Sequence, residues 1–230
     1  MVGYGGCPIE LKLLRWRQSV TVASKTMPTD PIASKPIYPS DNSYGIPTLR
    51  HTPLSAVPDW LIPYRTRVRF ETTGGAVHFF LYDAIFRSVW TCPNKSARYL
   101  SKFSTVLTPD FSLDADMPLA LQIFNTYRNR WCGAHWQAQG HTVIPTVTWS
   151  TPKSFDFCFV GIACHSVVAL TTLGTQRNRD TFMRGFQALV DVVQPSMVLC
   201  YGDPFPEMAS VPLKVYPDRW QSIKAARDGR

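Results

Sequence analysis

The chain's 230 residues suffice for one large domain or two small ones, and a hydrophobic content of 45% is that of an ordinary globular core. No apolar run reaches the roughly 18 residues a membrane span needs, and residues 1–7 lack the basic and apolar regions of a signal peptide. Twenty-four Lys/Arg against 16 Asp/Glu give a net charge of +8 and a pI near 9.3. That balance is compatible with a polyanionic partner without demanding one, because no basic run is dense. The six cysteines (Cys7, Cys92, Cys132, Cys158, Cys164, Cys200) form no CxxC pair. Several fall inside predicted strands or the helix and read as reduced, buried thiols, as in a cytoplasmic protein with no membrane partner.

Nine of the 19 prolines fall within residues 1–69. Residues 1–43 read as a poorly ordered, proline-rich extension, 44–203 as an α/β domain, and 204–230 as a polar tail. Residues 44–64 place Ile46, Leu49, Leu54, Val57, Trp60 and Leu61 at loop-like spacing, as in an extended arm. Residues 77–82 (VHFFLY) form a buried strand that Asp83 ends. A short helix over 84–90 and a further turn or two over 96–103 follow.

The stretch 104–149 organises the rest. Thr105–Thr108 is a short β-branched strand ended by Pro109-Asp110. Asp114 and Asp116 ahead of Pro118 mark a helix start, nothing but Gly133 interrupts the helix before about Gln139, and Gly140 closes it. Residues 141–149 alternate polar and apolar positions as a strand does, so the whole is a parallel βαβ unit. Residues 154–159 are aromatic and undecided. Further strands over 166–172 and 197–201 flank a helix over 179–193, and a short last helix begins near Asp218. The fold class is α/β: a mostly parallel sheet of about five strands, open or incomplete-barrel-like, in a single domain.

The phrases VHFFLYDAIFRSVW, LTPDFSLDADMPLALQIFNTYRNRW, GAHWQAQGHTVIPTVTW, FDFCFVGI and SMVLCYG resemble a bacterial and phage family known as domain of unknown function 4417. The resemblance covers roughly residues 44–203. It implies a phage, plasmid or other mobile-element context and supplies no catalytic residues. Tyr82 stands where an acidic residue often precedes the strand-end Asp of the family, and the N-terminal extension lies outside the match.

Ligands of parallel α/β sheets bind beyond the carboxyl ends of the strands. Those ends carry Asp83, Asp110 with Ser112, Trp149, Thr172 with Gly174, and Tyr201 with Asp203. Asp83 and Asp110 are the candidate catalytic pair, able to work as acid and base or to hold a divalent metal. The plainer alternative is that Asp110, Asp114 or Asp116 caps the following helix. On that helix Ala120, Phe124, Tyr127, Trp131 and Ala134 make a core stripe, from which Gln122, Asn125, Arg128, Asn129, Arg130 and Trp136 fall away. Asn125, Arg128 and Asn129 can act on one partner, and Arg128 with Arg130 suits phosphate. A solvated face with an Arg–Asp pair is the plainer alternative. An arginine near both acids would hold them ionised. Candidate ligand-binding residues are therefore Ser112, Asn125, Arg128, Asn129, Arg130, Trp149, Thr172 and Tyr201.

No HxH, HxxxH, HExxH, phosphate-loop or GxSxG pattern is present, and Cys158, Cys164 and His165 read as core positions. The basic pI and the mobile-element context favour a nucleic-acid-linked accessory protein, for instance in replication, that binds phosphate-bearing ligands. The alternatives are a small α/β enzyme, such as a metal-assisted hydrolase, centred on Asp83 and Asp110, and a non-catalytic interaction protein.

Overall fold

The computed structural model describes residues 35–64 and 74–218, and the fold is that of the compact unit Pro39–Arg230. The expected disorder of residues 1–43 and the helix near Asp218 lie largely outside the described residues.

Two parallel sheets carry the fold. The first holds β1 (Trp60–Pro63), β2 (Gly75–His78), β3 (Thr105–Leu107) and β4 (Thr142–Ile144), paired in that order. The second holds β5 (Val167–Thr171), β6 (Met197–Tyr201) and β7 (Leu213–Tyr216), also in sequence order. Helices α1 (Asp83–Phe86), α2 (Ser88–Thr91) and α3 (Pro93–Leu100) lie between β2 and β3. The long α4 (Leu119–Ala138) connects β3 to β4, α5 (Phe155–Cys158) precedes β5, and α6 (Arg179–Val193) connects β5 to β6.

The βαβ unit is present as expected: Val106 faces Val143 and Leu107 faces Ile144 in parallel register. Two strands escaped the sequence reading. β1 lies in the segment read as an arm and β7 in the segment read as a tail. Both are four residues long, without the sustained apolar pattern that marks β5 and β6.

The sheets meet where the chain leaves β4. Thr146 bridges Ala169 of β5, with Val147 N–H donating to the Ala169 carbonyl and Ala169 N–H to that of Pro145, each at 2.8 Å. One apolar cluster draws Leu61, Ala76, Leu107, Ile144, Val167, Ala169, Leu199, Tyr201 and Tyr216 from all seven strands. Such a cluster is the filled interior of a barrel. The barrel does not close: among the described residues β1 and β7 share no ladder, and their edges meet through Lys214 and Tyr216, which both donate to the Pro58 carbonyl. No described helix is long and apolar enough to cross a membrane.

Helix α4 buries a face other than the expected one. Phe124, Tyr127 and Trp131 of the apolar stripe pack edge-on against Trp90 of α2, at centroid distances of 5.8, 6.2 and 5.2 Å. Ala120 is exposed, however, and Gln122, Asn125, Thr126, Asn129 and Arg130 are buried. Asn125, Asn129 and Arg130 serve backbone carbonyls beyond the ends of β3 and β4, while Gln122 and Thr126 bond the Met117 and Gln122 carbonyls, so polarity there is what burial requires. Gly133 lets the helix come close: a Cβ on it would stand 2.7 Å from Thr108 Cγ2 and 2.9 Å from Leu49 Cδ2. Asp114 and Asp116 are exposed, and α4 begins after Pro118 with no side-chain cap, so none of the candidate acids caps it. Cys92, Cys132, Cys158 and Cys200 are free thiols.

Candidate functional site

Asp83 opens α1 just beyond β2, and Asp110 follows β3 three residues after its last strand position. Parallel pairing of these strands brings the two acids to one rim. Ser112 joins them to the loop: its backbone N–H and hydroxyl both donate to Asp83 Oδ1, at 3.3 and 3.0 Å. The Ser112 carbonyl accepts from Asn125 Nδ2 at 2.6 Å, and Asn125 Oδ1 accepts in turn from the Arg128 guanidinium. Arg128 lies over the Phe111 ring at 3.9 Å, a cation–π contact. Its charge is lowered in basicity by burial and supported by Asp83. Asp83, Ser112, Asn125 and Arg128 thus form one connected circuit.

Asp110 sits beside this circuit and behaves differently. Burial pushes its carboxyl up to about 7, the Asp83 charge adds to the push, and a hydrogen bond donated by the Thr148 hydroxyl opposes it. The expectation that a nearby arginine holds both acids ionised does not extend to Asp110, where burial outweighs the Thr148 hydrogen bond.

Asn129 and Arg130 lie deeper. Asn129 Nδ2 donates to the carbonyls of Pro109 and Thr146 at 2.8 and 3.1 Å, stitching the ends of β3 and β4 together. Arg130, 1% exposed, donates to the carbonyls of Val160, Thr146 and Cys158 and to Asn129 Oδ1. An outward role for Arg130 on a nucleic-acid backbone is incompatible with that enclosure.

The remaining candidates are engaged elsewhere. Trp149 packs against Phe182 at 5.0 Å and against Gly185 of α6, where an added Cβ would fall 2.1 Å from its Nε1. Thr172 is buried and its N–H donates to the Tyr201 carbonyl. Tyr201 stacks on Phe80 inside the barrel and donates to Asp218 at 3.0 Å.

Sequence reasoning missed Thr146 and Thr148. Their signal was the alternation Thr146-Val147-Thr148, which turns both hydroxyls away from Val147. It also missed His78, buried against Tyr201 with a centroid distance of 4.6 Å and a ring held down to about 3 by burial. For a divalent metal, Asp83 and Asp110 are the acidic residues beside Ser112 and Thr148. Among the described residues no three His, Cys, Asp or Glu side chains gather.

The sequence pattern described as Domain of unknown function (DUF4417) matches residues 38–216. The chain belongs to this family. The DUF4417 match runs past both ends of the expected 44–203, and so includes β7. The chain is similar to the Gene 1 protein of Mycobacterium phage L5, at 39% identity over 203 residues, covering 84% of this chain and 88% of that one. It is also similar to the Gene 1 protein of Mycobacterium phage D29, at 42% identity over 192 residues, covering 80% of this chain and 70% of that one. No solved structure matches it.

Proposed function

We propose that this phage-type DUF4417 chain is a small α/β enzyme in which Asp110 transfers protons near neutral pH beside Asp83. The observation that carries it is the unequal carboxylate pair. Asp83 is held by two Ser112 donors, while burial beside Asp83 lifts Asp110 to about 7. Two neighbouring acids whose environments push them apart are what acid–base work needs. Ser112, Asn125 and Arg128 are positioning residues for Asp83. A divalent metal at the pair would favour Asp110 in its charged form and so work against that protonation.

The test begins without a substrate. Carboxyl carbon NMR of the full chain is expected to show Asp110 titrating near 7. Ester, amide, phosphoester and glycoside substrates are then screened between pH 5 and 9, with Asp110→Asn as the comparison. Turnover that this variant lacks supports the proposal. An Asp110 that titrates near 4, or turnover unchanged in the variant, overturns it.

A nucleic-acid-linked role, replication included, is the second reading, and the net charge of +8 favours it. That charge is unevenly distributed. The described residues hold 13 Lys/Arg and 12 Asp/Glu, so nearly all the excess belongs to residues 1–34, 65–73 and 219–230. Binding through that excess would be sequence-independent and would weaken steeply with salt. The full chain is expected to bind a DNA duplex at 50 mM salt and to lose at least about tenfold in affinity by 200 mM. No binding at low salt removes this reading.

A further inference from the structure

We propose that the half-open pocket between the first half of α4 and the ends of β3 and β4 is an oxyanion site, seating one carboxylate or phosphate group of a ligand against Arg130 and Thr146. Asn125, Asn129, Arg130, Thr146 and Thr148 line it together with Phe111, and no Asp or Glu is among its lining residues.

Three observations point to a negatively charged acceptor. The Arg130 guanidinium is buried, yet every group it bonds is a neutral oxygen. A buried charge without a counter-charge is costly, and carbonyl dipoles meet only part of that cost. Secondly, four of its five N–H groups are taken, leaving one Nη2 hydrogen with no acceptor among the described residues. Thirdly, the Thr146 hydroxyl, in a residue 1% exposed, has no hydrogen-bond partner. The two unused donors belong to residues already in contact, since Arg130 Nη1 donates to the Thr146 carbonyl at 3.1 Å. A water molecule would answer the hydroxyl but not the charge, whereas an oxyanion answers both.

Size limits the occupant. The enclosed space is about that of one water molecule, far below that of sites that enclose a whole small molecule. It admits a single oxygen atom of an acidic group and leaves the rest of the group and of the ligand at its mouth. Thr148, which lines the pocket, donates to Asp110, so a group seated there lies one residue from the acid. That the bound group belongs to a substrate rests on the acid–base proposal above; the binding itself does not.

The full chain is titrated with inorganic phosphate and, separately, with acetate, at ionic strength held constant with chloride, and amide and side-chain NMR shifts are followed. Saturable shifts at Thr146, Thr148 and the Arg130 Nε–H are expected. Phosphate acting alone assigns a phosphate ester, and acetate acting alone assigns a carboxylate. Thr146→Val keeps the shape and loses no protein hydrogen bond, so it should fold at least as stably while binding about tenfold more weakly. Asp110→Asn should still bind the anion, at least as tightly as wild type, so the failure of acid–base chemistry and the failure of anion binding are separately visible. No saturable shift with either anion, or equal binding by Thr146→Val, overturns the proposal.

Discussion

Arg130→Met is expected to destabilise the fold by about 3–5 kcal/mol, measured as a shift of the urea midpoint. The side chain reaches from α4 to the carbonyls of Cys158 and Val160 around the end of α5, and to that of Thr146 beyond β4. It therefore ties the crossover helix of the first sheet to the segment leading into the second. Methionine fills the space but donates nothing, leaving the Cys158 and Val160 carbonyls and Asn129 Oδ1 without that donor, while the Thr146 carbonyl keeps Asn129. Small domains have only about 5–15 kcal/mol of stability in all, so the loss is a large share. Arg130→Lys keeps the charge but not the planar fork, and cannot span acceptors on both sides. It should recover less than half of the loss. A methionine variant within about 1 kcal/mol of wild type would show that the carbonyls find other partners.

The same residue marks the boundary of what was legible in the sequence. The βαβ unit was readable because α4 runs 20 residues between clear stops, and because the strands on either side are rich in Val, Ile and Thr. β5, α6 and β6 were readable for similar reasons. β1 and β7 were not, since Trp60–Pro63 and Leu213–Tyr216 are short and proline-flanked, and gain their strand character only from the neighbours they pair with. The inward face of α4 was misassigned because apolar spacing alone orients a helix only where its neighbours are apolar. Here α4 crosses the frayed ends of β3 and β4, and Asn125, Asn129 and Arg130 point inward to serve carbonyls that a sequence does not display.

The candidate site divides along the same line. The nearness of Asp83 to Asp110 followed from strand ends alone. The unequal environments of the two acids did not, because they depend on Ser112 donating twice to one acid and on burial of the other. Arg128 lies across Phe111 with the Asp83 carboxylate beside it, an arrangement that holds Asp83 in place more than it offers a cation to solvent.

Asp110→Asn should make the protein more stable above pH 7 while removing its chemistry. In the folded chain the Asp110 carboxyl is lifted from 3.8 to about 7. Between those values the native state holds a proton that the unfolded chain has released, so stability falls as pH rises through this window and the loss is complete above about pH 7. Asparagine has no proton to release and can still accept from the Thr148 hydroxyl, so the variant lacks this slope. Holding a proton over the window from 3.8 to about 7 corresponds to about 4 kcal/mol. Asp110 keeps partial contact with solvent, which reduces the expected gain to about 2 kcal/mol at pH 8. The other carboxylates titrate in both proteins and cancel in the difference. Urea melts of the two proteins from pH 4 to pH 8 should therefore start together and diverge, with the variant ahead. Parallel curves would mean that Asp110 ionises freely in the folded chain, and the acid–base proposal would lose the observation it rests on. Divergence accompanied by lost turnover is the pattern expected where stability has been given up to keep a proton near neutral pH.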